Sequence, residues 1–238
     1  MIPIVYDQLN GFGKNDQFFL DLLETLPVRT IADLGCGTGR LTAHFIDKGY
    51  QVTGIEPNEE ALSYAKQKQF GDGVQWILGD SSQLNDHTYD AVVLTANVAQ
   101  VFLTDESWEN MLQDVVRALK KGGHLLFDAR NPESKVWEQW EQDDTPDFAV
   151  NELTGEPLEI WTSYDGFENE VYTFCETVKG TQTGEMYVRE KIQLRFRSHE
   201  VLQQSLQKAG FATVQSYGDF TFEEATVQSS SFIFHAVK

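Results

Sequence analysis

The residues best equipped for chemistry cluster in Asp33-Leu34-Gly35-Cys36-Gly37-Thr38-Gly39-Arg40, where three glycines at alternate positions follow an apolar run ending on an acid. Glycine takes positive φ freely and leaves bare backbone for a ligand to lie against. The N–H groups that open a following helix then point at that ligand. This suits a nucleotide-like cofactor. Two more acids fall where such a ligand would use them. Glu56 ends the stretch begun at Val52, and a carboxylate there can hold both hydroxyls of a ribose. Asp80-Ser81 follows Val74-Gln75-Trp76-Ile77-Leu78. An acid there can accept from an exocyclic adenine amine while the next backbone N–H donates to a ring nitrogen. The spacing G-x-G-x-G brings the third glycine one residue too early for a dinucleotide loop, and no G-x-x-x-x-G-K-[ST] phosphate loop is present.

These residues need elements to position them. Phe18, Phe19, Leu22, Leu23 and Leu26 recur at helical spacing behind Asn15-Asp16, and Pro27 stops that helix. A strand over 29–34 enters the glycine loop. Leu41, Phe45 and Ile46 mark the helix leaving it, which ends near Gly49. Asn58 caps another helix behind Glu56-Pro57, with Glu59 and Glu60 suited to its dipole. Tyr89–Leu94 is apolar enough for a strand buried on both faces. Trp108, Met111, Leu112, Val115 and Leu119 give a helix ended by Gly122-Gly123, and His124–Asp128 a fifth strand. Alternation of this kind predicts a doubly wound α/β sheet with right-handed crossovers.

The alternation breaks over 131–197. Residues 131–170 carry twelve acids and one base, with tryptophans interspersed, and 158–165, 170–178 and 186–197 read as antiparallel strands. The segment predicts an insertion, a small meander over the sheet's edge. The core, 1–130 and 198–238, resumes with a helix capped by Ser198 and strands over 211–218 and 231–237. Residues 1–14 hold no clear period.

Acids outnumber bases 37 to 18, a net charge of −19, which disfavours phosphate backbones and anionic membranes as partners. Cys36 and Cys175 lack metal-type spacing, and a cysteine inside a glycine loop is a poor disulfide partner. No signal peptide is evident, so the expectation is a cytoplasmic protein, monomeric or homodimeric.

Five motifs in order resemble the class I S-adenosylmethionine-dependent methyltransferases: Asp33–Gly39, Gly54-Ile55-Glu56-Pro57-Asn58, Leu78-Gly79-Asp80-Ser81, Tyr89–Leu94 and Leu119–Phe127. The resemblance implies a seven-stranded, mostly parallel sheet of order 3-2-1-4-5-7-6, strand seven antiparallel, with the insertion after strand five. It implies S-adenosylmethionine as cofactor, bound by Asp33, Gly35, Cys36, Gly37, Thr38, Gly39, Arg40, Glu56, Pro57, Asp80, Ser81, Thr95 and Asn97. The Asn/Asp-Pro-Pro-aromatic signature of nucleic-acid and protein-amide methylation is replaced by Thr95-Ala96-Asn97-Val98-Ala99-Gln100. Together with the antiparallel insertion, this points to a small metabolite receiving the methyl at N or O by in-line displacement.

Catalytic candidates are Asn97, Tyr6 and His199, the last of which reads first as a helix-start histidine. Substrate-facing candidates are Tyr6, Gln100, Phe102, Asp128, Arg130, Trp161, Tyr172 and Arg195. Arg189, Lys191, Arg195 and Arg197 share one strand face and could draw an anion, although pairing with Glu170 or Glu176 accounts for them as well. An NAD(P)-dependent oxidoreductase would also want the glycines and an acid after strand two, and a non-catalytic S-adenosylmethionine-binding regulator would keep the same loop.

Overall fold

Five strands build the centre of the molecule, and the innermost, Thr30–Leu34 and Tyr89–Leu94, are short apolar runs buried on both faces. In the computed structural model, which describes residues 2–68 and 73–238, the five are β1 (Thr30–Leu34), β2 (Gln51–Glu56), β3 (Val74–Leu78), β4 (Tyr89–Leu94) and β5 (Leu119–Arg130). With β10 (Thr213–Gly218) and β11 (Ser231–Val237) they form one sheet of order β10-β11-β5-β4-β1-β2-β3. All pairings are parallel except those of β11, which runs antiparallel to both β5 and β10. This is the seven-stranded order the motifs imply.

Side-chain alternation along β1 sends Ile31 to one face and Ala32 and Leu34 to the other. The first face is covered by α2 (Lys14–Glu24) and α3 (Arg40–Asp47), through Phe18, Phe19, Leu22, Leu41 and Phe45. The second is covered by α5 (Asp105–Ala118) and α7 (His199–Ala209), through Trp108, Leu112, Leu202 and Leu206. Asn58 caps α4 (Glu59–Gln67) by accepting from Ala61 N at 3.0 Å, and Thr104 and Ser107 form a capping box at α5.

Three local features differ from the sequence reading. Residues 3–9, which lack a long apolar period, form α1 (Pro3–Leu9), with proline at its first turn and its stability drawn from tertiary packing. Gly122-Gly123 does not separate helix from strand. β5 already starts at Leu119 and runs through Gly122, at φ +75°, as a bulge that shifts its register on β4 between Tyr89 and Ala91. The inserted meander has a fourth strand.

That second sheet consists of β6 (Asp147–Val150), β7 (Pro157–Glu168), β8 (Val171–Gly180) and β9 (Met186–Arg195), antiparallel in that order, preceded by the single-turn α6 (Trp137–Trp140). It lies over the carboxyl ends of the parallel strands, not along the sheet's edge. One end packs Trp137, Tyr172 and Phe196 together, and the other joins Ala149, Leu158, Ile160 and Val178 to Ile2 and Val5 of the α1 region. Gln8 of α1 also exchanges two hydrogen bonds with the Val150 backbone, at 2.8 and 2.9 Å. Thus α1 connects the two sheets. Among the described residues no helix is long and apolar enough to cross a membrane.

Candidate functional site

The loop from β1 to α3 holds Gly35, Gly37 and Gly39 at φ +78°, +57° and +72°. Each sits in the left-handed region that a side chain resists. Gly39 ends the turn as N-cap of α3, and the close approach of Trp76 (2.9 Å from an ideal Cβ) and Ala65 (3.1 Å) leaves it no room for a side chain. Gly35 and Cys36 donate their N–H groups to Ile55 O at 2.8 and 3.1 Å, fastening the loop to β2. The buried Glu56 braces it further, accepting from Gly37 N and Asn58 N, both at 3.0 Å. Burial raises the Glu56 carboxyl above its ordinary range, against the pull of those two N–H groups.

Asp33 shares the face of β1 that α3 covers, which is why Thr42 Oγ1 reaches its carboxylate at 2.6 Å. It is 2% exposed, and burial pushes its pKa up to about 6 despite that hydroxyl. Burial also pushes the Cys36 thiol up, so it stays protonated. Thr38 donates to Asp7 of α1, and Asp7 is paired with Lys68 beyond α4, so α1 is held down on the loop. Arg40 makes a bidentate pair with Asp16 at 2.7 and 2.8 Å.

A second arm comes from the end of β4. Ala96 and Asn97 both take left-handed φ, +57° and +64°, a pair of conformations costing on the order of 1–3 kcal/mol each. Asp128 holds this turn by accepting from Asn97 N at 3.1 Å. Burial raises Asp128 to about 6 and lowers the neighbouring Arg130. The amide of Asn97 fits the network with its nitrogen donating to Gln100 Oε1 and Asp128 Oδ2 and its oxygen accepting from Arg130 Nη2, each at 3.2 Å. Arg130 also donates to Gln100 Oε1 at 3.0 Å and lies 5.0 Å over the Trp140 ring.

Loop, arm and inserted sheet enclose a cavity of about 330 Å³. Tyr6, Asp33, Gly35, Cys36, Gly37, Arg40, Thr95, Asn97 and Arg130 all line it. A polar recess alongside it adds Asp128 to Tyr6, Thr95, Asn97 and Arg130. Gln100 stands behind the wall, 1% exposed. Asp80 is exposed and caps the following 3₁₀ turn, accepting from Ser82 N and Oγ, while Ser81 Oγ donates to Asp114 of α5 at 2.7 Å. Pro57 is exposed beside Glu56.

Of the cofactor candidates, Thr38, Gly39, Glu56, Pro57, Asp80 and Ser81 are not among the lining residues, and five catalytic or substrate candidates are held elsewhere. His199 bonds Ser216 Oγ at 2.8 Å and packs on Phe232 and Phe234, because the start of α7 lies against β10 and β11. Phe102 packs edge-on to Trp108. Trp161 points from the outer face of β7 with its Nε1 on Glu159, since alternation gives the inner face to Ile160. Tyr172 is fully buried in the aromatic end of the second sheet, its hydroxyl on Glu141. Arg195 is taken up by Asp105, Glu170 and Leu103 O. Conversely, Val5 and Leu9 of α1 and Ile160, Phe174, Glu176, Ile192 and Leu194 line the cavity unforeseen. Period-two alternation along β8 groups Phe174 with Glu176, and could have signalled that they share a face.

Comparison with known proteins agrees with this architecture. A family model described as a methyltransferase domain matches residues 31–123. YqeM of Bacillus subtilis (strain 168), a candidate methyltransferase, is 30% identical over 98% of this chain and 94% of its own. In fold, the chain is similar to an S-adenosylmethionine-dependent methyltransferase from Clostridium acetobutylicum (TM-score 0.77, 19% identity, 98% and 96% of the two chains). It is likewise similar to CalS10 of Micromonospora echinaspora, an amino pentose methyltransferase solved with S-adenosylmethionine bound (TM-score 0.71, 17% identity, 100% and 98%). With a glycine loop of this geometry and a relative matched along nearly its whole length, the chain belongs to the S-adenosylmethionine-dependent methyltransferases, and S-adenosylmethionine is its cofactor.

Proposed function

We propose that this enzyme methylates a nitrogen or oxygen atom of a small metabolite held beneath the inserted sheet. The observation that carries the reading is the cavity of about 330 Å³, with the glycine loop on one side and β7, β8 and β9 on the other. Its size suits a small molecule. In this reading 1–130 and 198–238 form the cofactor-binding core and 131–197 the acceptor cap, with α1 closing both.

The residues present fit S-adenosylmethionine. Gly35, Cys36 and Gly37 offer bare backbone to the cavity, and the buried, ionisable Asp33 beside them suits an ammonium group. In our assignment Asp33 holds the methionine amine, Glu56 the ribose hydroxyls, and Asp80 with the Ser81 N–H the adenine edge. The cofactor supplies a methyl group activated by a sulfonium. The chain's own part is to hold the acceptor atom in line and exclude water, an effect of up to roughly 7–11 kcal/mol in favourable cases. Burial raises the Tyr6 phenol, so Tyr6 enters as a neutral hydroxyl able to donate or accept. No histidine is among the cavity-lining residues, which favours an acceptor that needs no imidazole base.

The test is a metabolite extract incubated with methyl-labelled S-adenosylmethionine. Label is expected in a small, extractable product. Label confined to macromolecules, or no transfer by protein that binds S-adenosylhomocysteine, overturns the proposal. Separately, Asp80→Ala is expected to weaken S-adenosylhomocysteine binding by roughly 1–3 kcal/mol, the value of one to two hydrogen bonds. Calorimetry showing wild-type affinity would remove Asp80 from the site.

A further inference from the structure

Strands β7, β8 and β9 turn Ile160, Phe174, Ile192 and Leu194 to the cavity, and alternation sends the residues between them to the outer face. In register across that outer face lie Trp161, Thr177 and Arg189, then Ser163, Cys175 and Lys191, then Gly166, Thr173 and Gln193. Glu159 opposite Lys179 begins the face, and the bulge before Gly166 adds Asp165 to β7. Trp161 is 42% exposed, and Phe148, opposite Glu159 on β6, is 66% exposed. Two large aromatic rings thus meet water on one sheet face, the composition of a docking surface.

The charges on this face are sorted by strand. β7 carries the acids Glu159 and Asp165, and β9 carries the bases Arg189 and Lys191. Between them β8 is small and uncharged over Thr173, Cys175 and Thr177, with Lys179 at its end. Lys191 reaches Asp165 at 4.0 Å, an exposed pair worth little within one chain. At a net charge of −19, two copies of the chain repel each other over most of their surface. On this face the bases match the acids, so the repulsion is least here.

We propose that a second copy of this chain docks here, outer sheet against outer sheet, about a two-fold axis running along β8. The charges select that axis. It lays β7 of one copy over β9 of the other, so acids meet bases and Trp161 faces the Arg189 guanidinium of the other copy. An axis across the strands would set β7 on β7 and β9 on β9, acid on acid and base on base. The contact is isologous and closes at two copies. The small residues of β8 let the sheets approach to the usual spacing of about 10 Å. Strands of ten to twelve residues, widened by β6, present a face of roughly 30 by 19 Å. That is on the order of 600 Å² per copy, the lower end for a specific interface. The strands that wall the cavity are then backed by a second layer.

Sedimentation of the full chain at tens of micromolar is expected to show twice the chain mass. Glu159→Lys with Asp165→Lys and, separately, Arg189→Glu with Lys191→Glu should each sediment as a monomer, because like charge then faces like. Mixed in equal amounts, the two variants should recover the dimer, since the new lysines meet the new glutamates along one strip and the native pairs remain along the other. Neither variant touches the cavity, so both should keep wild-type affinity for S-adenosylhomocysteine. Trp161→Ala, a milder change, should weaken the dimer at least roughly tenfold. In the wild type the paired Cys175 thiols stand too far apart for a disulfide, but bismaleimidoethane should join them, and Cys175→Ser should prevent it. A monomeric wild type, dimers that survive both charge reversals and Trp161→Ala, or variants that stay monomeric when mixed overturn the proposal.

Discussion

Gly35→Ala is expected to lower the affinity for S-adenosylhomocysteine on the order of a hundredfold and to reduce the melting temperature by roughly 5–15 °C. Two costs combine. At φ +78° an alanine is strained by about 1–3 kcal/mol, and its methyl would stand 2.8 Å from both terminal carbons of Val98. Relieving that overlap, worth a further 1–3 kcal/mol or so, pushes Val98 and with it the adjoining left-handed pair Ala96-Asn97. Both walls of the cavity are therefore disturbed by one methyl group. Gly49→Ala is the control: its φ of +85° imposes the same backbone strain, but nothing lies within 4 Å of its added carbon, and it is away from the cavity. It should lose stability and keep affinity. Equal affinity losses in the two variants would show that backbone strain alone, not the packing of the loop on Val98, governs binding.

The second large effect joins stability to function at Asp33. A carboxyl that titrates near 3.9 when unfolded and at about 6 when folded is a liability to the native state once both states are ionised. Its folded pKa is raised, so its favourable contribution is complete below about pH 4 and is lost as pH rises through about 6. The penalty above that pH is up to roughly 3 kcal/mol. Asp33→Asn keeps an oxygen to accept from the Thr42 hydroxyl and carries no charge. Without ligand it should melt higher than wild type at pH 8, and the gap should close as the pH falls towards 4. Its affinity for S-adenosylhomocysteine should fall by roughly 10- to 150-fold, the value of one charge-assisted hydrogen bond. Scanning calorimetry at several pH values, with and without ligand, checks both halves. A variant that melts lower than wild type at pH 8 would mean that the Asp33 charge is well compensated within the fold.

The parallel core was readable in sequence because local pattern and tertiary fate coincide there. Strands such as Tyr89–Leu94 are buried on both faces, so their apolar runs do not depend on which way they turn. The positions of Asp33, Glu56 and Asp80 followed from the same logic, since each marks the end of such a run. The inserted sheet was legible as strands but not as a surface. Alternation pairs Phe174 with Glu176 and Thr173 with Cys175, yet it cannot say which pair looks into a cavity. Tyr172 is sunk in an aromatic cluster and Trp161 stands on the outer face, positions that alternation alone leaves open. α1 was hidden for a different reason. Its seven residues hold too little periodicity to announce a helix, and it is kept by Thr38, Lys68 and the Val150 backbone, partners 31 to 142 positions away.

The place of β11 in the sheet bears on how the chain is made. It stands between β5 and β10, so residues 231–237 fill an interior position in the sheet. The five parallel strands come from the contiguous stretch 30–130 and can pair as that stretch emerges from the ribosome. β5 must then wait, with one side unpaired, through the synthesis of residues 131–230 before its antiparallel neighbour arrives. Closing so long a loop costs little more in equilibrium stability than closing a short one, but it delays the final pairing and leaves an apolar strand edge open meanwhile. During biogenesis, the hazard for this protein is therefore association through β5, and a chain lacking residues 231–238 would carry that hazard permanently.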